Sequence, residues 1–299
     1  MTTTLTGSGA PRLQHNWDSR AACNFIGGGS GTGLLLAAAV AFASGSPYFL
    51  AGTLALALIA FGLSMVWLEI GRPLRALNVF FHPQTSWMSR EALLALPVLA
   101  LGTLAVVLDQ PFVSLPFQGH LPVAVLASAT AILGLGFLYC QARILYASKG
   151  VPAWSEPALQ PVIIITGLAE GLGLLLMLTA LDAQPPVWAV PAAIVALLAR
   201  AGAWDHYRER LKRRAPAPAI AALNRISVPV HLLGHALPAV LLVCALLVPS
   251  APALAAVAGL ALAAVGAWIK FAVVTSAAFT QGFSIPFVPT RGLSHSATL

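Results

Sequence analysis

A polytopic bundle of membrane-spanning α-helices is the fold this sequence predicts, and three observations predict it. Hydrophobic residues make up 59% of the chain, and the mean hydropathy is +0.86. Several apolar runs exceed about eighteen residues, enough to cross a hydrocarbon core of about 30 Å as helix. A closed β-barrel would read as short alternating segments, which is not the pattern here. The fold class is therefore all-α: one membrane domain over residues 1–299 with eight helices, at about 21–43, 47–68, 90–108, 120–146, 157–181, 186–204, 227–248 and 251–279.

The opening segment, residues 1–20, is polar and lacks a short hydrophobic core with a small-residue cleavage site, so the first apolar run is expected to be a retained helix. That helix carries Gly27, Gly28, Gly29, Gly31 and Gly33. No register of these glycines gives G-x-G-x-x-G and no Walker lysine follows, which argues against a phosphate cradle. Gly27 and Gly31, like Gly29 and Gly33, are four apart, the spacing that lets membrane helices approach closely. A flat ligand against the exposed backbone is the lesser alternative. Pro and Gly mark the joins at Gly45-Ser46-Pro47, Gln110-Pro111, Gln184-Pro185-Pro186 and Pro249-Ser250-Ala251-Pro252. No soluble domain follows; the longest later polar stretch runs from Asp205 to Arg225.

With eight helices both termini share a side with the 2–3, 4–5 and 6–7 connections. That side holds every lysine and arginine of the sixteen except Arg200 and Lys270, which fall inside helices, while the opposite connections hold none. By the positive-inside rule the basic side is cytoplasmic, placing the chain in the cell inner membrane with both termini inside. The pI near 9.9 thus reports topology, and the basic residues form no groove or reading helix for nucleic acid. The run from Arg208 to Arg214 reads as contact with anionic membrane lipid, with docking of an acidic partner the alternative.

Cys23, Cys140 and Cys244 are scattered, which is neither a disulfide framework nor a metal or cluster ligand set. His231 and His235 share one helix face and cannot ligate opposite sides of a haem, so they are expected in packing, in a polar network or near a ligand pocket. Neither haem, cluster nor metal is expected on this chain. Glu170 lies deep in the fifth helix, where an ionisable group is a functional candidate as a proton-relay or inter-helix hydrogen-bond site. Lys270 is its possible counter-charge, unless it snorkels.

The segment Glu69–Glu91 is the richest in chemistry. Glu69, Glu91, Arg72, Arg75 and Arg90 fall there, among Asn78, His82, Gln84, Ser86, Trp87 and Ser89, in a chain only 8% charged. Ionisable groups are costly at a hydrocarbon boundary, so their clustering points to a site, the plain alternative being a polar interfacial loop.

Ile70-Gly71-Arg72-Pro73-Leu74-Arg75-Ala76-Leu77-Asn78, followed by Ser86-Trp87-Met88-Ser89-Arg90-Glu91, resembles the signature between helices 2 and 3 of the dimethyl sulfoxide reductase-type membrane anchor subunits, relatives of the polysulfide reductase membrane subunit. The tail from Phe279 to Gly292 is similar to family C-termini. The resemblance implies a quinone-reactive subunit (ubiquinone or menaquinone) of a three-part complex, docking an iron–sulfur ferredoxin-like subunit and, through it, a molybdenum or tungsten pterin catalytic subunit. Glu91 falls on the family's signature glutamate, associated with quinone chemistry. Glu69 stands where the dimethyl sulfoxide reductase anchors carry a quinone-linked histidine. The expected catalytic pair is therefore Glu91 and Glu69 as proton carriers, with Arg90, His82, Ser86, Trp87, Arg72, Arg75 and Asn78 about the head group. A cytoplasmic docking face implies a cytoplasmic substrate such as a CoA thioester, the character of the phenylacetyl-CoA:acceptor oxidoreductase membrane subunit. The rival readings are a secondary transporter using Glu170 as a midplane proton site and a purely structural anchor.

Overall fold

The structure, a computed structural model, describes residues 10–69, 73–112, 114, 118–182, 185–248 and 250–282. In chain order these form α1 (Ser19–Ala43), α2 (Phe49–Glu69), a short 3-10 helix (Pro73–Phe81), α3 (Trp87–Asp109), α4 (His120–Ala147), the single turn α5 (Pro152–Ser155), α6 (Leu159–Asp182) and α7 (Ala189–Leu211). Then follow α8 (Ala217–His231), α9 (Leu237–Leu247) and α10 (Pro252–Phe271). A π turn at Leu232–Ala236 joins α8 to α9 as one rod, and a second at Ala272–Ser276 extends α10.

Lipid is as apolar as leucine, so close packing rather than the hydrophobic effect holds such helices together. Small residues decide which helix lies at the centre. In α1, 78% of the spanning window is buried, against 28% in α3, and it packs on α2, α4, α6 and α10. The glycines of its run admit its neighbours, two of them facing α2. A Cβ on Gly27 would meet the α2 backbone at Leu58 and Gly62, and one on Gly33 would meet the α6 backbone at Gly167. Beside them, Gly28 leaves room for the Gln141 amide and Gly29 for the Lys270 ammonium, so two of the glycines admit polar side chains rather than backbone.

Among the described residues seven rods are long and apolar enough to cross a membrane. The eighth expected span is α7, which is 23 residues long but carries Arg200 within it and Asp205, His206, Arg208, Glu209 and Arg210 towards its end. Its boundary also differs from expectation. The apolar run stops at 204, yet the helix continues to Leu211, because the buried stripe Val190, Ala193, Leu197, Arg200, Trp204, Tyr207, Leu211 keeps heptad spacing to the end. The Tyr207 hydroxyl fixes that last turn by donating to Ala153 O at 2.8 Å. Likewise α8 starts ten residues before the expected 227, with Pro218 in its first turn and Ala219, Leu223, Ser227 and Val230 facing inward. Most of the expected 205–225 connection is therefore helix.

The elements that bear the basic residues meet at one end. Leu13 bridges Phe279, which brings the approach to α1 beside the exit from α10. Buried Trp154 donates from Nε1 to Val273 O, 2.8 Å away in the second π turn, and stacks on Trp17 with centroids 4.8 Å apart. Buried Glu156 lies 3.4 Å from Arg210 and 3.6 Å from Arg214. At the opposite end Asp109 Oδ2 accepts from the N–H groups of Tyr48 and Phe49 at 2.7 and 2.8 Å, placing negative charge at the N-terminus of α2.

The α1–α6 contact gives a direct test. A Cβ on Gly171 would strike the backbone of Gly33 and Leu34, which cannot rotate away. Gly171→Ala is expected to cost about 1–3 kcal/mol, as overpacking does, and to lower the detergent melting temperature. Gly202→Ala, whose Cβ meets nothing within 4 Å, is the control and should leave the melting temperature unchanged or slightly raised.

Candidate functional site

The turn into α3 is built by its own sequence. Ser86 is the N-cap, its hydroxyl accepting from the N–H of Ser89 at 3.3 Å. Arg90, one helical turn on, folds back over the loop: Nε donates to Pro83 O at 2.6 Å and Nη2 to Gln84 O at 2.8 Å. The same guanidinium lies 4.1 Å from the Trp87 ring centroid, and Arg143 lies 4.7 Å from it. Trp87 thus sits between two cations, with Tyr139 edge-on at 5.8 Å.

Glu91 points the other way, into the bundle. It is 6% exposed and accepts from Asn24 Nδ2 at 3.4 Å. Gln141 lies beside the same carboxylate and donates from Nε2 to Asn24 O at 3.1 Å. The amide reaches there because Gly28 has no side chain. Among the described residues Asn24 Oδ1 and Gln141 Oε1 have no partner, so acceptors stand next to Glu91 for any proton it carries.

Both expected carboxylates line one cleft between α1, α2 and α3, with Trp17, Phe25, Val66 and Met88 as its apolar walls. Its volume is about 50 Å³, well below the roughly 300 Å³ of a small-molecule pocket. A whole ring does not fit in its depth. A larger cavity of about 320 Å³ lies at the opposite end among Pro185, Val190, Leu246 and Ala255. Among the described residues it is lined by Pro, Val, Ala and Leu, none of which can carry a proton.

At the mouth, Asp18 caps α1 and is held by Arg20, whose Nη2 lies 2.8 Å from Asp18 Oδ2. The hydrogen bond from the guanidinium, assisted by the Arg20 N–H, holds the Asp18 carboxyl below the usual carboxylate range. Arg20 Nη1 also donates to Leu68 O at 3.0 Å, tying α1 to the end of α2 beside Glu69.

The remaining expected residues do not gather at the cleft. Ser86, Trp87 and Arg90 shape the loop and the α3–α4 face; Asn78 and His82 are exposed on the 3-10 helix and the turn after it. Ile70, Gly71 and Arg72, the Arg75 side chain, and the tail from 283 onward lie outside the described residues. Asn24 and Gln141, which the sequence reading missed, stand in their place; neither belongs to the polar loop, and each is a lone amide in an apolar helix. Among the described residues no three metal-ligating side chains cluster.

A second group of charges lies deeper. Glu170 and Lys270 are both fully buried and paired, Lys270 Nζ to Glu170 Oε2 at 2.6 Å, and Ser30 donates to the same oxygen at 2.6 Å. Lys270 therefore does not snorkel. Arg200 is also fully buried; Nη1 donates to Leu262 O at 2.8 Å and Nη2 to Gly234 O. That acceptor is legible in the sequence, since Pro238, four residues on, has no N–H to give to it. His231 and His235 join a polar network, and the basic run folds into ion pairs with Asp205, Glu209 and Glu156.

The profile of the family described as DMSO reductase anchor subunit (DmsC) matches residues 45–281. No curated protein matches the chain.

The Arg90 latch sets a measurable expectation. Hydrogen bonds from a charged donor are each worth about 1.5–3 kcal/mol, so Arg90→Ala should raise amide hydrogen exchange across 82–86 by roughly tenfold or more. Unchanged protection would mean that the loop is held by other contacts.

Proposed function

The chain belongs to the DMSO reductase anchor subunit family and is thus a multi-pass membrane anchor of a complex with catalytic and iron–sulfur subunits; from this we propose that it exchanges electrons with membrane quinone at the Glu69–Glu91 cleft. The observation that carries the proposal is the convergence of these two carboxylates, 22 positions apart in the chain (91 less 69), on one cleft with apolar walls. A quinone, when bound, supplies two-electron, two-proton redox chemistry.

The residues fit such a ligand at the cleft mouth. Val66, Met88, Phe25 and Trp17 offer faces for a ring, and Glu69, Glu91 and Asn24 offer groups to its oxygens. Glu91 is the inner proton carrier, held by Asn24 next to an amide network with spare acceptors. Glu69 is the outer carrier, half-buried beside Arg20 and Asp18, where water reaches it. Arg20 and Arg90 work through backbone carbonyls, one fixing the end of α2 and the other the turn into α3, and so hold the two carboxylates in register. Electrons come from the iron–sulfur partner, since no haem or cluster is proposed for this chain. By the positive-inside rule the basic residues at the cleft end support a cytoplasmic location for that end, with the chain in the inner membrane. The pterin partner then acts on a cytoplasmic substrate, of which a CoA thioester is one.

Glu91→Gln removes the exchangeable proton at nearly constant volume. In the assembled complex it is expected to lower quinone-linked turnover by about 10²–10⁴-fold, the contribution of a positioned proton-transfer group. Dye-linked activity of the catalytic partner and co-purification of the subunits should be unchanged. Full quinone-linked turnover in an intact Glu91→Gln complex would support a purely structural anchor instead.

A further inference from the structure

The Glu170–Lys270 pair is not used by the chemistry proposed at the cleft, and its surroundings give it a second role. Three fully buried charged side chains share this part of the core: Glu170 on α6, Lys270 on α10 and Arg200 on α7. Two are cations and one is an anion. A guanidinium keeps its charge at any accessible pH, so Arg200 and Glu170 balance each other and the Lys270 proton is the one in excess. Buried charges without a full complement of partners are costly, and inside a membrane they mark ion or proton sites.

A file of titratable groups leads from this cluster to the surface. Asp205, with a side chain 56% exposed, lies 3.1 Å from His231 Nε2. The other nitrogen of that ring, Nδ1, lies 3.4 Å from His235 Nδ1. His235 is buried, and among the described residues its Nε2 has no partner. At the inner end Glu170 Oε1 is likewise without a partner among them, while Oε2 is held by Lys270 and Ser30. Arg200 is tied to the same region, because it binds the carbonyl of Gly234, next to His235. The elements also bring these groups together: Gly234 packs on Val265, and the next residue of α10, Gly266, packs on the Glu170 side chain. The other charged group on the file is Arg208, 3.6 Å from Asp205 at the surface.

We propose that this file is a proton path, connecting the Lys270–Glu170 site in the membrane core with the basic face of the protein through His235, His231 and Asp205. Lys270 Nζ gives a proton to Glu170 Oε2; the neutral carboxyl group then rotates, which turns that proton to the unpartnered side, and passes it towards His235 Nε2 as the carboxylate is restored. Each histidine receives a proton on one ring nitrogen and releases one from the other. His235 passes one from Nδ1 to His231 Nδ1, and His231 passes one from Nε2 to Asp205, which exchanges with water. No electrons move and no covalent bond to carbon changes. The π turn is the device that makes the path, because Pro238 frees the Gly234 carbonyl that anchors Arg200 beside His235.

Lys270 is one of three lysines in the chain, with Lys149 and Lys212, so its ammonium is observable by itself. The full chain, labelled with lysine carrying ¹⁵N at Nζ, is placed in lipid bilayers and transferred to D₂O. The isotope shift at the Nζ signal that Lys270→Met abolishes is then followed in time. Deuterium is expected to reach Lys270 readily in the wild type and about a hundredfold more slowly in His231→Leu, in keeping with loss of a positioned proton carrier. Asp205→Asn, at the exposed end of the file, should slow it in the same direction and leaves the bundle interior untouched. Equal exchange rates in wild type and both variants, whether fast or slow, would overturn the path. The readout needs neither quinone nor partner subunits, so its failure leaves the cleft proposal standing, and failure of the cleft leaves the path standing.

Discussion

Close approach at α1 is the constraint on which the other features depend. Four neighbours reach its backbone because glycine stands where each crosses, and no β-carbon could be accommodated at Gly27, Gly31 or Gly33 without displacing another helix. Packing of this kind supplies the cohesion that hydrophobicity cannot supply inside lipid. It also has a chemical consequence. Gly28 and Gly29, adjacent in the chain, admit Gln141 from α4 and Lys270 from α10. One helix therefore separates two polar centres: the amide network around Glu91 and the ion pair of Glu170.

The two centres differ in their relation to the surface. Glu91 borders a cleft that opens beside Glu69 and the Asp18–Arg20 pair, the place proposed for a lipid-soluble ligand. Glu170 and Lys270 are fully buried, and the link outward proposed for them is the line of His235, His231 and Asp205. The same rule governs both: a buried ionisable group is tolerated only where protein dipoles or counter-charges replace its water. At Glu91 the replacements are neutral amides. At Glu170 they are an ammonium, a hydroxyl and, further off, a guanidinium.

Much of this was legible in the sequence, and the parts that were not have identifiable reasons. The all-helical membrane class followed from apolar runs, and the glycine spacing in the first helix indicated close packing. The pairing of Glu170 with Lys270 could be suspected, since in a membrane core each is costly alone. The extent of α7 could not be read from hydropathy, because its last two turns bury Tyr207 and Leu211 on one face while the rest is charged. Asn24 and Gln141 were overlooked because a single amide in an apolar helix gives no local pattern; their importance lies in what α1 and α4 bring together. Arg90 and Trp87 looked like ligand groups from their proximity to Glu91 in sequence. Helical geometry sends consecutive residues to different faces, and their faces are the loop and α4 rather than the cleft.

The central claim is that a quinone head group meets this protein between Glu69 and Glu91. A photoreactive quinone analogue, activated in membranes holding the intact complex and mapped by peptide mass spectrometry, tests it most directly. Labelling of the cleft walls is expected, at Trp17, Val66 or Met88, and is lost when excess unlabelled quinone competes. Competable labelling confined to the apolar cavity at the opposite end, around Val190, Leu246 and Ala255, would contradict it.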